Sequence, residues 1–333
     1  MDYSNLIKKY DKFNQRDVLN SFSSQIDFVE KTFENFKLIQ KINVKKIKNI
    51  VICGMGGSGF TGDIINSYVN INVPILVCKD YVLPNFVSKE TLVVCISYSG
   101  NTIETLTAFD DAIMRGAKVV SICSGGFLKE KSKDNILIKV GFQPRLSYTM
   151  QFLAVLFLFD KIGFVKISDE VKVLKKLVSD VSLKKVDLKA KKLAEDLYNT
   201  IPVIYSSTQN FALSEKFKCD INETCKQHSF FNVFSEFNHN EIVGYTKFEK
   251  KIQPVFLIDD CDFDYVKKRM KVVKKLLNDR KYEVVEVKIL GNSRIEKLFY
   301  TLYLISYTSF YLAMLNKVEP NSVEIIENLK KNI

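Results

Sequence analysis

The sequence predicts an α/β protein with two domains, each a parallel sheet flanked by helices, behind an N-terminal helical lead-in. Three observations predict it. Short apolar runs end in small residues and feed helix-like stretches at NIVICG (49–54), PILVC (74–78), TLVVCIS (91–97) and KVVSICS (118–124), an alternation that builds parallel sheets. The same alternation returns at PVIYSS (202–207), PVFLID (254–259) and YEVVEVKI (282–289). Finally, 333 residues that are 47% hydrophobic and 26% charged hold enough apolar material for two cores and exclude disorder as a global description.

Taken in order, residues 1–45 carry Leu6, Ile7, Tyr10, Phe13 and then Phe28, Val29, Phe33, Phe36 and Leu38 at helical intervals, without Gly or Pro. This is the helical lead-in. The first α/β domain spans 46–160, and its end, Phe152 to Phe159, is apolar throughout but too short to cross a bilayer, so it reads as a core helix. Between Lys166 and Lys192 apolar residues recur at roughly helical spacing with lysines between them, which predicts a helical connector, 161–197, with a solvated face. The second α/β domain spans 198–333. Within it, Leu298 to Leu315 is uncharged for the length of a bilayer span, yet it contains tyrosines together with Ser306, Thr308 and Ser309. A buried helix is expected there, and no membrane partner. NIVICGMGGSG and IPVIYSSTQN share a pattern of strand, small-residue turn and helix without sharing residues, a weak duplication.

Composition narrows the chemistry. The polar start, Met1 to Lys9, lacks the basic and then apolar pattern of a signal peptide. Seven cysteines, an odd number with no C-x-x-C pair and mostly inside apolar runs, read as reduced core residues of a cytoplasmic protein. The two histidines, His228 and His239, are too few for a multi-histidine zinc site. A net charge of +11 is compatible with nucleic acid, an anionic surface or an anionic substrate. Residues 1–45 show no helix-turn-helix with a basic recognition helix, which argues against nucleic acid.

Two loops carry the functional signal. Gly54-Met55-Gly56-Gly57-Ser58-Gly59 follows a strand and opens a helix, so it fits G-x-G-x-x-G in a dinucleotide context, with Asp80 as a possible ribose-binding acid. Ser97-Tyr98-Ser99-Gly100-Asn101-Thr102 competes with that reading, because dinucleotide sites have no need of a second hydroxyl-rich turn. Ser97, Ser99 and Thr102, with backbone N–H groups at a helix N-terminus, suit the three acceptor oxygens of a phosphomonoester. Two such turns on neighbouring strands would enclose one small phosphate, with Gly56, Gly57 and Ser58 contributing from the first. For any single one of these hydroxyls, simple helix N-capping is the competing explanation.

GMGGSGFTGD with SYSGNTIET resembles the sugar isomerase (SIS) fold, a Rossmann-like parallel sheet flanked by helices. With GFQPR ending at Arg145, INETCK, FNHNEIVG and FYLAMLNKVEPNSVEIIENLK, the chain is similar in motif order to the bifunctional phosphoglucose/phosphomannose isomerase family from about residue 48 onward. The resemblance implies a metal- and cofactor-independent isomerase of small-molecule sugar phosphates, a homodimer with shared active sites. It implies Glu223 as the proton-transferring base, His239 for ring opening, Arg145 as the charge that stabilises an enediolate, and Lys330, with Lys331 beside it, positioning the ring oxygen. Two positions depart from the family pattern: Lys216 stands where an arginine is common, and Ser306 where an acidic residue is. Two other functions remain open on sequence, a non-catalytic phosphosugar-binding SIS protein acting as a sensor or regulator, and a Rossmann dehydrogenase.

Overall fold

The computed structural model describes residues 2–179 and 182–332. The portions of the lead-in, the connector and the C-terminal domain expected at 1, 180–181 and 333 lie outside the described residues. The chain divides into two compact units, Ser21–Lys175 and a second formed by Met1–Asn20 with Lys176–Ile333. The lead-in is helical, as α1 (Tyr3–Tyr10), α2 (Gln15–Asn20) and α3 (Phe22–Asn35), but the division runs through it: α1 and α2 belong to the second unit and α3 to the first. It also runs through the connector, whose helices are α8 (Ser168–Ser179) and α9 (Ser182–Leu197).

In the first unit the chain runs β1 (Asn49–Cys53), α4 (Gly56–Tyr68), β2 (Ile75–Cys78), β3 (Thr91–Ile96), α5 (Ile103–Met114), β4 (Lys118–Cys123), α6 (Gly126–Lys131), β5 (Asn135–Leu137) and α7 (Tyr148–Ile162). The sheet is parallel, in the order β2-β1-β3-β4-β5. The β-branched runs in β1, β3 and β4 are buried on both faces, as a sheet covered on two sides requires. Val51, Cys53, Val93, Cys95 and Val119 pack with Ala108, Phe109 and Ala112 of α5. On the other face, α4 approaches so closely that a Cβ at Gly62 would stand 2.9 Å from a Val77 methyl and 3.1 Å from one of Ile52. The run 152–159 lies in α7, which is buried from Tyr148 to Leu156 and again at Leu158 and Phe159. Five of the seven cysteines are buried, Cys219 is half-buried, and Cys261 is exposed, contrary to a core role for that thiol.

The second unit contains β6 (Ile201–Ser206), α10 (Phe211–Cys225), β7 (Phe230–Val233), α11 (Phe234–Phe237), β8 (Ile252–Ile258), α12 (Asp264–Asn278), β9 (Val285–Lys288), α13 (Arg294–Leu315) and α14 (Glu324–Lys331). Its parallel sheet has the order β7-β6-β8-β9. In both sheets the second strand lies outside the first and the third and fourth follow on the other side, so the duplicated pattern reflects equivalent positions for β1 and β6. A capping box of Ser293 and Glu296 starts α13, satisfying two first-turn donors reciprocally. Among the described residues α13 is the one helix long and apolar enough to cross a membrane, and its whole apolar window is buried inside the chain. It packs on α9 and α10.

Candidate active site

In the first sheet β2 and β3 lie on opposite sides of β1, and the chain leaves β1 and β3 in opposite directions. Helix α4 packs along β1 and β2, and α5 along β3 and β4. A crevice opens outside the carboxyl ends of strands at such a reversal, where open α/β sheets take their ligands. Both candidate loops border it. The strand order matches the flavodoxin-like 2-1-3-4-5 arrangement, not the 3-2-1-4-5-6 order of dinucleotide folds, which favours the phosphate reading of the glycine loop.

Neither helix is capped by a side chain at its N-terminus, Met55 for α4 and Thr102 for α5, and helix N-termini leave first-turn N–H groups available to an anion. Ser97, fully buried, pairs its hydroxyl with that of Thr102 at 2.8 Å and accepts the Gly100 N–H at 3.1 Å. Ser58, also buried, accepts the Tyr98 N–H at 3.3 Å and so joins the two loops. Ser99 is exposed, and its hydroxyl accepts the Asn101 N–H at 3.2 Å.

A third loop, not recognised from the sequence, braces the second. Ser124 donates both its N–H (2.9 Å) and its hydroxyl (2.7 Å) to the Tyr98 carbonyl, Phe127 N–H donates to Asn101 Oδ1 at 3.0 Å, and Leu128 N–H to the Gly100 carbonyl at 2.9 Å. The signal was present in KVVSICSGG, a strand ending in the same small residues as the other two.

Arg145 joins this group through the backbone. It sits in the 3₁₀ turn Pro144–Leu146, and a Cβ at Gly57 would stand 2.8 Å from the Pro144 carbonyl oxygen and 2.9 Å from Arg145 Cα. Only a glycine permits that approach. Thr61 of α4 donates to Gln151 Oε1 (3.1 Å), Gln151 donates to the Ser147 hydroxyl (2.5 Å), and Ser147 donates to the Pro144 carbonyl (2.9 Å), fastening the turn to α4 and α7. Arg145 is 4% exposed, so it is a buried residue and not a surface one.

Glu223, His239 and Lys330 lie in the other unit on three separate elements. Glu223 is half-buried, two residues before the end of α10. Earlier in that helix, Lys216 and Asp220 form an ion pair with both side chains buried, and Ser306 is buried in α13, which packs on α10. The end of α10 is tied down by Lys226, whose ammonium donates to the Glu223 carbonyl (2.8 Å) and the Pro320 carbonyl (3.4 Å). Asn316 Nδ2 adds a bond to the Cys225 carbonyl at 3.0 Å. These bonds bring the backbone of Glu223 next to the segment that leads into α14. Helix α14 carries Lys330, buries no residue and leaves Lys330 exposed. His239 is exposed on the turn after α11, beside Tyr265, Lys268, Arg269 and Val272.

The corresponding crevice of the second sheet, outside β6 and β8, is filled by the chain itself. Asn210 Nδ2 donates to Ser207 Oγ (3.2 Å), Asp262 Oδ1 (3.2 Å) and Asp259 Oδ2 (3.4 Å). Burial raises the Asp262 carboxyl above the usual carboxylate range. Asp259, Asp260 and Cys261 are spaced for a metal ion, but the Lys297 ammonium bonds all three, at 2.6 Å to Asp259 and 3.1 Å to Cys261. Burial works against that charge, and the bonds to Asp259, Asp260 and Cys261 outweigh it, so the Lys297 pKa lies above the usual lysine value.

Fold and loops together define a protein of two SIS domains. The SIS domain model matches residues 43–161, and the bacterial phospho-glucose isomerase C-terminal SIS domain matches residues 186–333. The chain belongs to the bifunctional phosphoglucose/phosphomannose isomerase family. It is 38% identical over 325 residues to the family protein of Caldicellulosiruptor bescii, covering 92% of this chain and 95% of that one. To the Aquifex aeolicus protein it is 37% identical over 295 residues, covering 86% and 90%. The same fold is found in the C-terminal domain of glucosamine-fructose-6-phosphate aminotransferase from Francisella tularensis, with a TM-score of 0.72 at 16% identity over 95% of this chain and 99% of that one.

Proposed function

We propose that this chain is a sugar-phosphate isomerase that interconverts glucose 6-phosphate and mannose 6-phosphate with fructose 6-phosphate. The observation that carries the reading is the buried Arg145, whose backbone is seated against Gly57 of the glycine loop, which brings a positively charged residue to the crevice between the loops. Relatives along nearly the whole chain bear the name of that double activity.

Aldose–ketose isomerisation moves one proton between C1 and C2 of the open-chain sugar. His239 passes a proton to the ring oxygen as the ring opens, and Lys330 orients that oxygen. Glu223 then takes the C2 proton, the electron pair forms the C1–C2 double bond of an enediolate, and Arg145 balances the negative charge on its oxygens. The hydroxyl proton passes from O2 to O1, and return of the carbon-bound proton to C1 gives the ketose. One base serves both aldoses if the enediolate turns about C2–C3 and presents either face of C2. No step calls for a metal or a cofactor. Exposure of His239 supports a homodimer in which it completes the partner's site, and seven cysteines without a disulfide support a reducing cytoplasm.

The phosphate end of this reading is tested at the second loop. Ser99→Ala and Thr102→Ala are each expected to raise KM, by about 1–3 kcal/mol of lost charge-assisted hydrogen bonding. The double variant should also weaken inhibition by inorganic phosphate. Unaltered phosphate inhibition in the double variant would move the phosphate site elsewhere.

A further inference from the structure

Tyr98 lies inside the second loop, is 9% exposed, and connects every part of the first unit's site. Its N–H donates to Ser58 of the glycine loop, and its carbonyl accepts two bonds from Ser124 of the third loop. Its hydroxyl reaches in a different direction. It accepts the Phe142 N–H at 2.7 Å and donates to the Lys139 carbonyl at 3.1 Å.

After the buried Ile138, residues 139–142 form a strap between β5 and the turn that holds Arg145. Lys139, Val140 and Gly141 are exposed, so the strap has little core of its own to fix it, and the Tyr98 hydroxyl is a buried anchor beneath it. Phe142 is three residues from Arg145, and Gln143 between them accepts the Leu146 N–H at 2.8 Å. Displacement of the strap therefore passes into the 3₁₀ turn. On its far side that turn is fastened by Gly57 and by the Thr61–Gln151–Ser147 chain, and on its near side by Tyr98.

We propose that Tyr98 is a positioning residue of the isomerase reaction, holding the Arg145 guanidinium in register with the phosphate loops through the strap 139–142. The proposal rests on the reading that Arg145 balances the enediolate charge. A phenol in this place couples the two ends of the substrate's site, since the residue whose backbone ties the loops together also sets, by its hydroxyl, where the charge-balancing side chain stands.

A double-mutant cycle tests it. Tyr98→Phe keeps the ring in the core and removes both hydroxyl bonds. It is expected to lower kcat on both sugar phosphates by about 10- to 100-fold, the cost of a misplacement on the order of 1 Å, while KM and inorganic phosphate inhibition stay within about threefold. In an Arg145→Ala background the same change should have almost no further effect on kcat, because its route of action is gone. Gly141→Ala strains the strap from outside, since Gly141 is exposed and has φ of +95°. It should reproduce the Tyr98→Phe profile even if Tyr98→Phe does not fold. Undiminished effects of Tyr98→Phe and Gly141→Ala on top of a damaging Arg145→Ala would overturn the proposal alone, as would wild-type kcat in both Tyr98→Phe and Gly141→Ala. Wild-type kcat in Arg145→Ala would overturn the reading beneath it, and the proposal with it.

Discussion

Glu223→Gln is expected to eliminate turnover of glucose 6-phosphate and mannose 6-phosphate together, with kcat falling on the order of 10⁴-fold, the upper end for loss of a positioned base. The amide has the shape of the carboxylate but cannot accept the C2 proton. At the end of α10 the Lys226 ammonium holds the chain through the Glu223 main-chain carbonyl, a bond that the substitution keeps. Binding of a phosphorylated polyol inhibitor should therefore remain nearly unchanged, which separates lost chemistry from lost structure. A variant that keeps either activity would show that the two aldoses do not share one base.

Mixing two dead variants should restore activity. If His239 completes the site that holds the partner subunit's Glu223, a dimer of one Glu223→Gln chain and one His239→Ala chain has one site with both groups intact and one with neither. Random pairing makes half the dimers mixed, so activity should recover to roughly a quarter of wild type once subunits reassort. His239 is exposed next to Tyr265 and Val272, which are exposed as well, and such a surface is suited to burial in an interface. No recovery in mixtures shown by native mass spectrometry to contain mixed dimers would place His239 and Glu223 in sites built within one chain.

The strands built from continuous apolar runs were legible in the sequence: β1, β3, β4, β6 and β8 fall within a residue or two of the runs expected. The edges were not. The strand β5 is three residues, Asn-Ile-Leu, and β7 is Phe-Phe-Asn-Val with no residue fully buried, so neither carries a burial pattern long enough to read. YEVVEVKI shortens to Val285–Lys288 because Tyr282 and Val284 turn into the core around α12 before pairing begins. At the site, the glycine and serine loops were legible because a turn of small or hydroxyl residues between a strand and a helix has a local signature in the sequence. What joins them did not. The approach of Arg145 to Gly57 spans 88 positions, the Tyr98 hydroxyl bonds reach across 41 and 44, and nothing local in either partner encodes such a contact. Lys216 shows a related limit: its partner Asp220 is only four residues on, but a lysine in a helix reads as solvated until α13, which packs on α10, is in view. The hydroxyls of Ser97 and Thr102 lay open to a capping explanation for the same reason, and their mutual bond replaces it.

The most direct measurement is a coupled assay of the purified chain, supplied separately with glucose 6-phosphate and mannose 6-phosphate and read as formation of fructose 6-phosphate. Turnover of both substrates, each inhibited by inorganic phosphate and each lost in Glu223→Gln, is the predicted result. Binding of both sugar phosphates without formation of fructose 6-phosphate from either would contradict it, and would make the paired loops a sensor's pocket instead of an isomerase's.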